Sequence, residues 1–378
     1  MKSIDVRSYL VDLETLVNID SVSTDPAGTT QVGNFLAEKF KGLGWQIKSE
    51  VYDDTIGPCL KITNSESDKY DILLLAHMDT VFPIGTAKER PYSEKDGRAY
   101  GPGVIDCKAG LLSIFYVLES MQQEGKLENA SICVFYNSDH EGISSKFSYS
   151  HSVELAEKSR YVLVLEGARA NGNLVHQRKG IARYKLSIDG VGAHAGVDFT
   201  SGRSAINELG SWIMTLEQAT DLTKETTVNV GKVSGGTSVS AVADHASAEI
   251  DVRYYQLEEL KRIEQIMSDM IKAPHVEGTT AKVEGGVSRP PMLPNDETRA
   301  LMKQIEAIGQ ELNIPFGWTA SGGGSDGSFA AAAGIPTIDG FGPVGGGAHS
   351  VREYMEIDTI EPRMCLLEKT IEYIIAAK

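Results

Sequence analysis

The run DILLLAHMD, Asp71 to Asp79, constrains the fold more than any other segment. Ile72 to Ala76 are apolar without interruption. A strand with one wet face would alternate polar and apolar residues; an unbroken run needs cover on both faces, as at the centre of a parallel sheet. ASICVFYNSD (130–139) and YVLVLEG (161–167) have the same character, and CLKIT (59–63) and WQIKSEVY (45–52) read as further strands. Between them lie helix-spaced segments: Ser8 to Ile19, a second ending at Gly42–Gly44, and the long apolar stretch Ala109 to Gln123. Strands alternating with helices predict an α/β sheet with a parallel centre. Functional groups in such sheets gather beyond the carboxyl ends of the strands. His77, Asp139 to Glu141 and Glu166 all fall at such ends.

The texture changes near Gln177. GIARYKLSIDG (180–190) alternates like a half-exposed strand, and Ser204 to Glu217 reads as a helix. Two strands follow, TTVNVGKVSGG (226–236) and ASAEIDVRYY (246–255), then a helix over Leu257 to Ile271 and a strand, TTAKVEGG (279–286). The order β-α-β-β-α-β is that of a ferredoxin-like unit. GIPTIDGFGP (334–343) and a closing helix, Ile360 to Ala377, return to the α/β style. The expected organisation is a catalytic domain over 1–177 and 290–378, with a dimerisation or lid domain inserted at 178–289.

At 378 residues the chain can build two cores. Its net charge of −16 argues against binding a nucleic-acid backbone, which needs clustered Lys and Arg. No window approaches the roughly 18 apolar residues of a membrane span. MKSIDVRSYLVDLETLV lacks the pattern of a secretory signal. Cys59, Cys107, Cys133 and Cys365 form no CxxC pair and read as reduced thiols. A cytoplasmic protein is expected.

The motifs HMDTV (77–81), GPGVIDCKAG (101–110), NSDHEG (137–142), LEG (165–167) and GGAHS (346–350) supply histidines and carboxylates with spacing suited to a pair of metal ions, and GGGSDG (322–327) stands between the last two. In this order they resemble the zinc-dependent aminoacylase/carboxypeptidase metallopeptidase family, closest to its bacterial glutamate carboxypeptidase type. The resemblance runs over nearly the whole chain. It implies a di-zinc, aminopeptidase-like catalytic domain, with Co2+ or Mn2+ as possible substitutes for zinc. It further implies that His77 and Glu166 bind one ion, Glu141 and His349 the other, and Asp106 both. Asp79 would orient the His77 ring. Taken singly, His77 could be a core histidine and Glu166 a plain strand-end carboxylate. His151, His176, His245 and His275 match no motif.

One position departs from the family pattern. Two adjacent acids normally occupy this strand-end motif, the first being the general base; here the pair is His140–Glu141. An imidazole can act as a base near neutral pH, but it becomes cationic on accepting a proton, beside two dications. Three readings stay open: a working or adapted base, a mark of a hydrolytically impaired homologue with a binding or regulatory role, and an extra metal ligand that changes the chemistry performed on an amino-acid derivative.

The resemblance also places substrate contacts. His194, in GVGAHAG, matches a histidine that reaches into the partner subunit's site and steadies the oxyanion. Arg253, in EIDVR, matches the arginine that holds the substrate carboxylate. Ser240 stands where the family has asparagine, and Ala243 where it has proline. Arg289 could read an acidic side chain or be a solvated loop residue. Gly323 and its glycine neighbours would line the cleft with backbone groups. The expected activity is hydrolysis of an amide next to a free carboxylate, in a small peptide or N-acyl amino acid, by a homodimer.

Overall fold

The computed structural model describes residues 5–377, and the chain divides into two compact units. The first comprises 1–177, 292–321 and 325–378; the second comprises 178–291 with 322–324.

The first unit is built on a six-stranded sheet. Its centre is Tyr70–His77, all eight residues of which are buried. Ile132–Asn137 lies parallel on one side and Ser159–Val164 parallel on the other. Thr337–Ile338 extends the parallel part, while Cys59–Thr63 and Gln46–Glu50 complete the opposite edge in antiparallel fashion. The unbroken apolar run conceals a two-residue alternation. Ile72, Leu74 and Ala76 join the large core formed with the helices Val6–Val17, Ala109–Gln123 and Ile360–Ala376. Leu73 and Leu75 join a smaller core with Leu155, Ala156 and Ala330. Both faces are dry, so neither parity can be polar.

Most of the expected elements are found with shifts of a residue or two. The first helix runs Val6–Val17, set by the Asp5 carboxylate, which accepts the backbone N–H of Arg7 and Ser8, and ended by Asn18. Ile19, expected inside it, therefore lies beyond its end.

A small four-stranded sheet was not legible in the sequence. Its order is Gly345–Gly346, Tyr354–Glu356, Arg98–Tyr100, Ser93–Lys95. It draws together the loop after Tyr100, which carries Asp106, and the hairpin that carries His349.

The second unit has a four-stranded antiparallel sheet, in the order Thr227–Gly235, His245–Tyr254, Gly180–Asp189, Thr280–Arg289. This is the ferredoxin-like arrangement: second strand, third, first, fourth. Alternate residues Ala182, Tyr184, Leu186 and Ile188 face a core shared with Trp212 and Leu216 of the helix Ala205–Gln218 and with Ile263 and Met267 of Leu257–Lys272. Arg289 ends the last strand and is buried; the reading of it as a solvated loop arginine is corrected, because strand pairing with Ile181 continues to its position.

Gly110 is required by close approach. A Cβ there would stand 1.9 Å from the carbonyl oxygen of Leu165, the residue before Glu166. Gly110→Ala is expected to lower the unfolding free energy by about 1–3 kcal/mol through overpacking, measured by urea denaturation of chelator-treated protein.

Candidate metal centre

Two parallel strands end in register, with His77 opposite Asn137, so the loops that follow both emerge at one edge of the sheet. His77 closes its strand. His140 and Glu141 open a short helical turn, His140–Ile143, just beyond the next strand. Glu166 lies two residues past the strand ending at Val164. Asp106 comes from the loop between Arg98–Tyr100 and the helix Ala109–Gln123. His349 sits at the tip of the small-sheet hairpin with φ of 61°, a left-handed conformation unusual for a side chain of its size.

The two oxygens of Asp106 face different histidines. Oδ1 is 3.2 Å from His77 Nε2, and Oδ2 is 3.1 Å from His349 Nε2. Glu166 Oε1 stands 3.6 Å from His77 Nε2, and Glu141 Oε1 stands 3.0 Å from His349 Nε2. Donor atoms around a tetrahedral zinc, each at about 2.0–2.1 Å, are separated from one another by about 3.3 Å. The observed spacings bracket that value. The donor set is nitrogen and carboxylate oxygen, which suits a borderline divalent ion. These residues could therefore hold two ions, with Asp106 shared. His77 is 1% exposed and His349 56%, so the centre opens to solvent on the His349 side.

The electrostatics point the same way. Burial, followed by the negative charge of Asp106, pushes the Glu166 carboxyl up to about 7. For Asp106, burial is outweighed by hydrogen bonds from His349 and His77, which hold it well below the usual carboxylate range. Hydrogen bonding to Asp106 and then to Glu141 raises His349 to about 10. Burial opposes the charged form of His77, but neighbouring anionic groups prevail and raise it. The histidines thus carry protons where cations would sit.

Asp79 lies against both His77 and the turn beyond the next strand. The His77 Nδ1 lies 2.9 Å from the backbone oxygen of Asp79, and 3.5 Å from its carboxylate. The carboxylate accepts the backbone N–H of His140 at 3.2 Å and of Glu141 at 2.8 Å, and the Ser23 hydroxyl at 2.5 Å. Asp79 therefore ties the turn bearing His140 and Glu141 to the end of the His77 strand.

His140 is buried, and its ring is stacked on His77, with centroids 4.1 Å apart and planes 6° from parallel. An imidazole lone pair lies in its ring plane. Two nearly parallel stacked rings direct their lone pairs side by side rather than at one point, while donor atoms of His77, His140 and Glu141 still lie within 4.8 Å of one another. His140 Nε2 is 3.6 Å from Glu166 Oε1, and Nδ1 is 3.2 Å from Asp326 Oδ2.

Two contributors carried no signal that spacing could reveal. Glu353 is fully buried and accepts the backbone N–H of Gly103, Ile105 and Asp106 at 3.0–3.1 Å, shaping the Asp106 loop. Burial pushes its carboxyl up to about 7. Asp326 was read only as part of a glycine-rich lining; its carboxylate is in fact buried against His140. His151, His176, His245 and His275 take no part in any group of potential ligands among the described residues. All four cysteines are free; Cys107 is buried beside His77 and Glu166.

The residues expected to contact substrate lie in the second unit. His194 and Ser240 are brought together on a small two-stranded arm: His194 pairs with Ala241, and Ala195 N–H donates to the Ser240 carbonyl at 2.9 Å. The His194 Nδ1 accepts N–H from Gly196 and Val197, both at 3.2 Å, which places the ring proton on Nε2. Arg253 is engaged by its own strand: Nε and Nη2 donate to the two oxygens of Asp251 at 2.6 and 3.0 Å. The Gly323 carbonyl accepts from Arg178 Nη1 at 3.1 Å.

Because His349 and His77 hold protons in the metal-free chain, binding of a divalent ion must displace them. Zinc added to chelator-treated protein at pH 8 is expected to release at least the His349 proton. The affinity should rise with pH until His349 loses its proton near about 10. Calorimetry in two buffers of different ionisation enthalpy reads this directly, and pH-independent affinity would contradict it.

Comparison with known proteins agrees with the fold. The profile of Peptidase family M20/M25/M40 matches residues 73–373. Carboxypeptidase G2 of Pseudomonas sp. (strain RS-16) is 27% identical over 365 residues, covering 95% of this chain and 87% of that protein. Succinyl-diaminopimelate desuccinylase of Polynucleobacter necessarius is 23% identical over 390 residues, covering 96% of this chain and 98% of that protein. Among solved structures, a tripeptidase from Staphylococcus aureus superposes with a TM-score of 0.81 at 24% identity, covering 99% of this chain and 100% of its own. An M20 family metallo-carboxypeptidase from Sulfolobus solfataricus gives 0.77 at 17% identity, covering 97% and 99%. With four-fifths of its length inside the matched profile, the chain belongs to Peptidase family M20/M25/M40, a family of hydrolases that use divalent metals.

Proposed function

We propose that the protein hydrolyses an amide bond next to a free carboxylate, in a small peptide or an N-acyl amino acid, at a two-metal centre. The observation that carries this reading is the Asp106 carboxylate, whose oxygens face two separate histidine–glutamate pairs. Two divalent ions, zinc by the donor set, would polarise the scissile carbonyl and make water a nucleophile at neutral pH. His77 and Glu166 would hold one ion, Glu141 and His349 the other, and Asp106 would be shared between them. Asp79 keeps Glu141 and His140 in register with His77.

His140 takes the proton of the attacking water on Nε2 and passes it to the leaving amine. His194 offers the substrate an Nε2–H, the tautomer that an oxyanion requires. Ser240, beside it, adds a single hydroxyl. Arg253 grips the substrate carboxylate by exchanging Asp251 for it, one bidentate partner for another. Arg289, at the end of the inserted unit's last strand, is the residue assigned to an acidic side chain of the substrate. The relatives named above are a carboxypeptidase, a tripeptidase and a desuccinylase, which supports peptide and N-acyl substrates. A leaving residue with a C-terminal glutamate, a homodimer and a cytoplasmic setting complete the proposal. No helix among the described residues is long and apolar enough to cross a membrane.

Removing the proton carrier tests the reading. His140→Ala should lower kcat on N-acyl glutamates and short peptides by about 10²–10⁴-fold, with zinc content by mass spectrometry unchanged. His194→Ala should lower kcat by about 10²–10³-fold. If His140→Glu instead raises hydrolysis by orders of magnitude, His140 is a disabling substitution and the proposed base is wrong.

A further inference from the structure

His140 is held from behind. Asp326, at the end of the glycine-rich run and 5% exposed, places Oδ2 at 3.2 Å from His140 Nδ1. The carboxylate is itself fixed: Ser145 Oγ donates to Oδ1 at 2.5 Å, and the Asn137 side-chain amide donates to Oδ2. These two supports come from the end of the strand that precedes His140 and from the turn that follows it. An ionised carboxylate only accepts hydrogen bonds. The ring nitrogen facing Asp326 must then bear hydrogen, which leaves the lone pair on Nε2, the nitrogen that faces Glu166. The parallel stack on His77 fixes the ring plane.

We infer that Asp326 is a positioning residue that sets the tautomer and ring orientation of His140, so that an imidazole can stand in for the carboxylate base. This rests on the reading of His140 as the proton carrier. Asp326 belongs to none of the groups that could hold an ion among the described residues; it acts through Nδ1. When Nε2 accepts a proton, the charge gained by the ring lies against the Asp326 carboxylate. The pair thereby becomes a neutral unit, as a protonated carboxylate would be. Loss of the partner that orients a functional histidine commonly costs at least about ten-fold in activity.

The first test reads the tautomer without turnover. In zinc-loaded protein carrying 15N-labelled histidine, with His140 assigned by comparison with His140→Ala, the His140 ring is expected to show Nδ1–H and an unprotonated Nε2. Hydrogen on Nε2 in the unmutated chain would overturn the inference. Asp326→Ala should shift the ring away from the Nδ1–H form. Asp326→Asn should retain it, since an amide oxygen can replace Oδ2 while the Ser145 hydroxyl rotates to accept.

The second test is a double-mutant cycle on N-benzoyl-glutamate. Asp326→Ala should lower kcat at least about ten-fold with KM within about two-fold, and Asp326→Asn should recover part of the loss. In a His140→Glu background the same Asp326→Ala change should cost nothing, because two facing carboxylates repel. Equal losses in both backgrounds would mean a structural role only and would overturn the inference. If the unmutated chain turns over no substrate, the proposed function fails while the tautomer measurement still decides the role of Asp326.

Discussion

Crowding of like charge governs this structure. Asp106, Glu141 and Glu166 converge at 3.0–3.6 Å from two histidines, with Asp79 directly behind them. Carboxylates this close and this buried repel, and the strength of that repulsion is visible in Glu166, whose carboxyl is pushed up to about 7. No chain would hold such a cluster together without compensating positive charge. In the metal-free state the compensation is protons on His77 and His349, and the same geometry accepts dications in their place. The parallel sheet, the small accessory sheet and the buried Glu353 can all be understood as means of keeping these anions where cations can reach them.

That view separates residues that carry charge from residues that hold shape. Glu353 and Asp79 spend their oxygens on backbone N–H groups: Gly103, Ile105 and Asp106 for the first, His140 and Glu141 for the second. A buried carboxylate that accepts several backbone hydrogen bonds immobilises the loop that donates them. Strand ends supply the coarse placement, and these two carboxylates set the fine position of the loops beyond.

The central sheet was legible because a strand covered on both faces writes an unmistakable apolar run, and because strand ends are where side chains become available. The helix Ala109–Gln123 was legible to the residue for the same reason, its apolar length. The insert was legible because its sheet has one wet face, so Gly180–Asp189 alternates. The four-stranded accessory sheet was not, because its strands are two or three residues long and its two local hairpins join only by pairing of Tyr354–Glu356 with Arg98–Tyr100, some 250 positions apart. Asp326 and Glu353 escaped notice for a related reason. Their partners are backbone amides and a single ring nitrogen brought in by the fold, and neither spacing nor composition encodes that. Arg253 shows the converse: its motif was plain, but its bidentate partner Asp251, only two residues away on the same strand face, was not considered.

On the proposed reading of His140 as the proton carrier, the histidine at position 140 relocates charge. A carboxylate base is negative before it takes a proton and neutral after; an imidazole alone is neutral before and positive after, the wrong sign beside two dications. With Asp326 against Nδ1, the unit of ring plus carboxylate runs from −1 to zero, as a lone carboxylate would. The negative charge has moved one side chain back from the reacting proton: the ring takes the proton on Nε2, and the carboxylate behind it balances the charge. Such an arrangement needs the carboxylate held rigidly and dry, since a solvated one would be screened. Burial of Asp326 beneath Asn137 and Ser145 meets that need. A histidine at this position without a buried acid behind it would have the charge problem and no remedy for it.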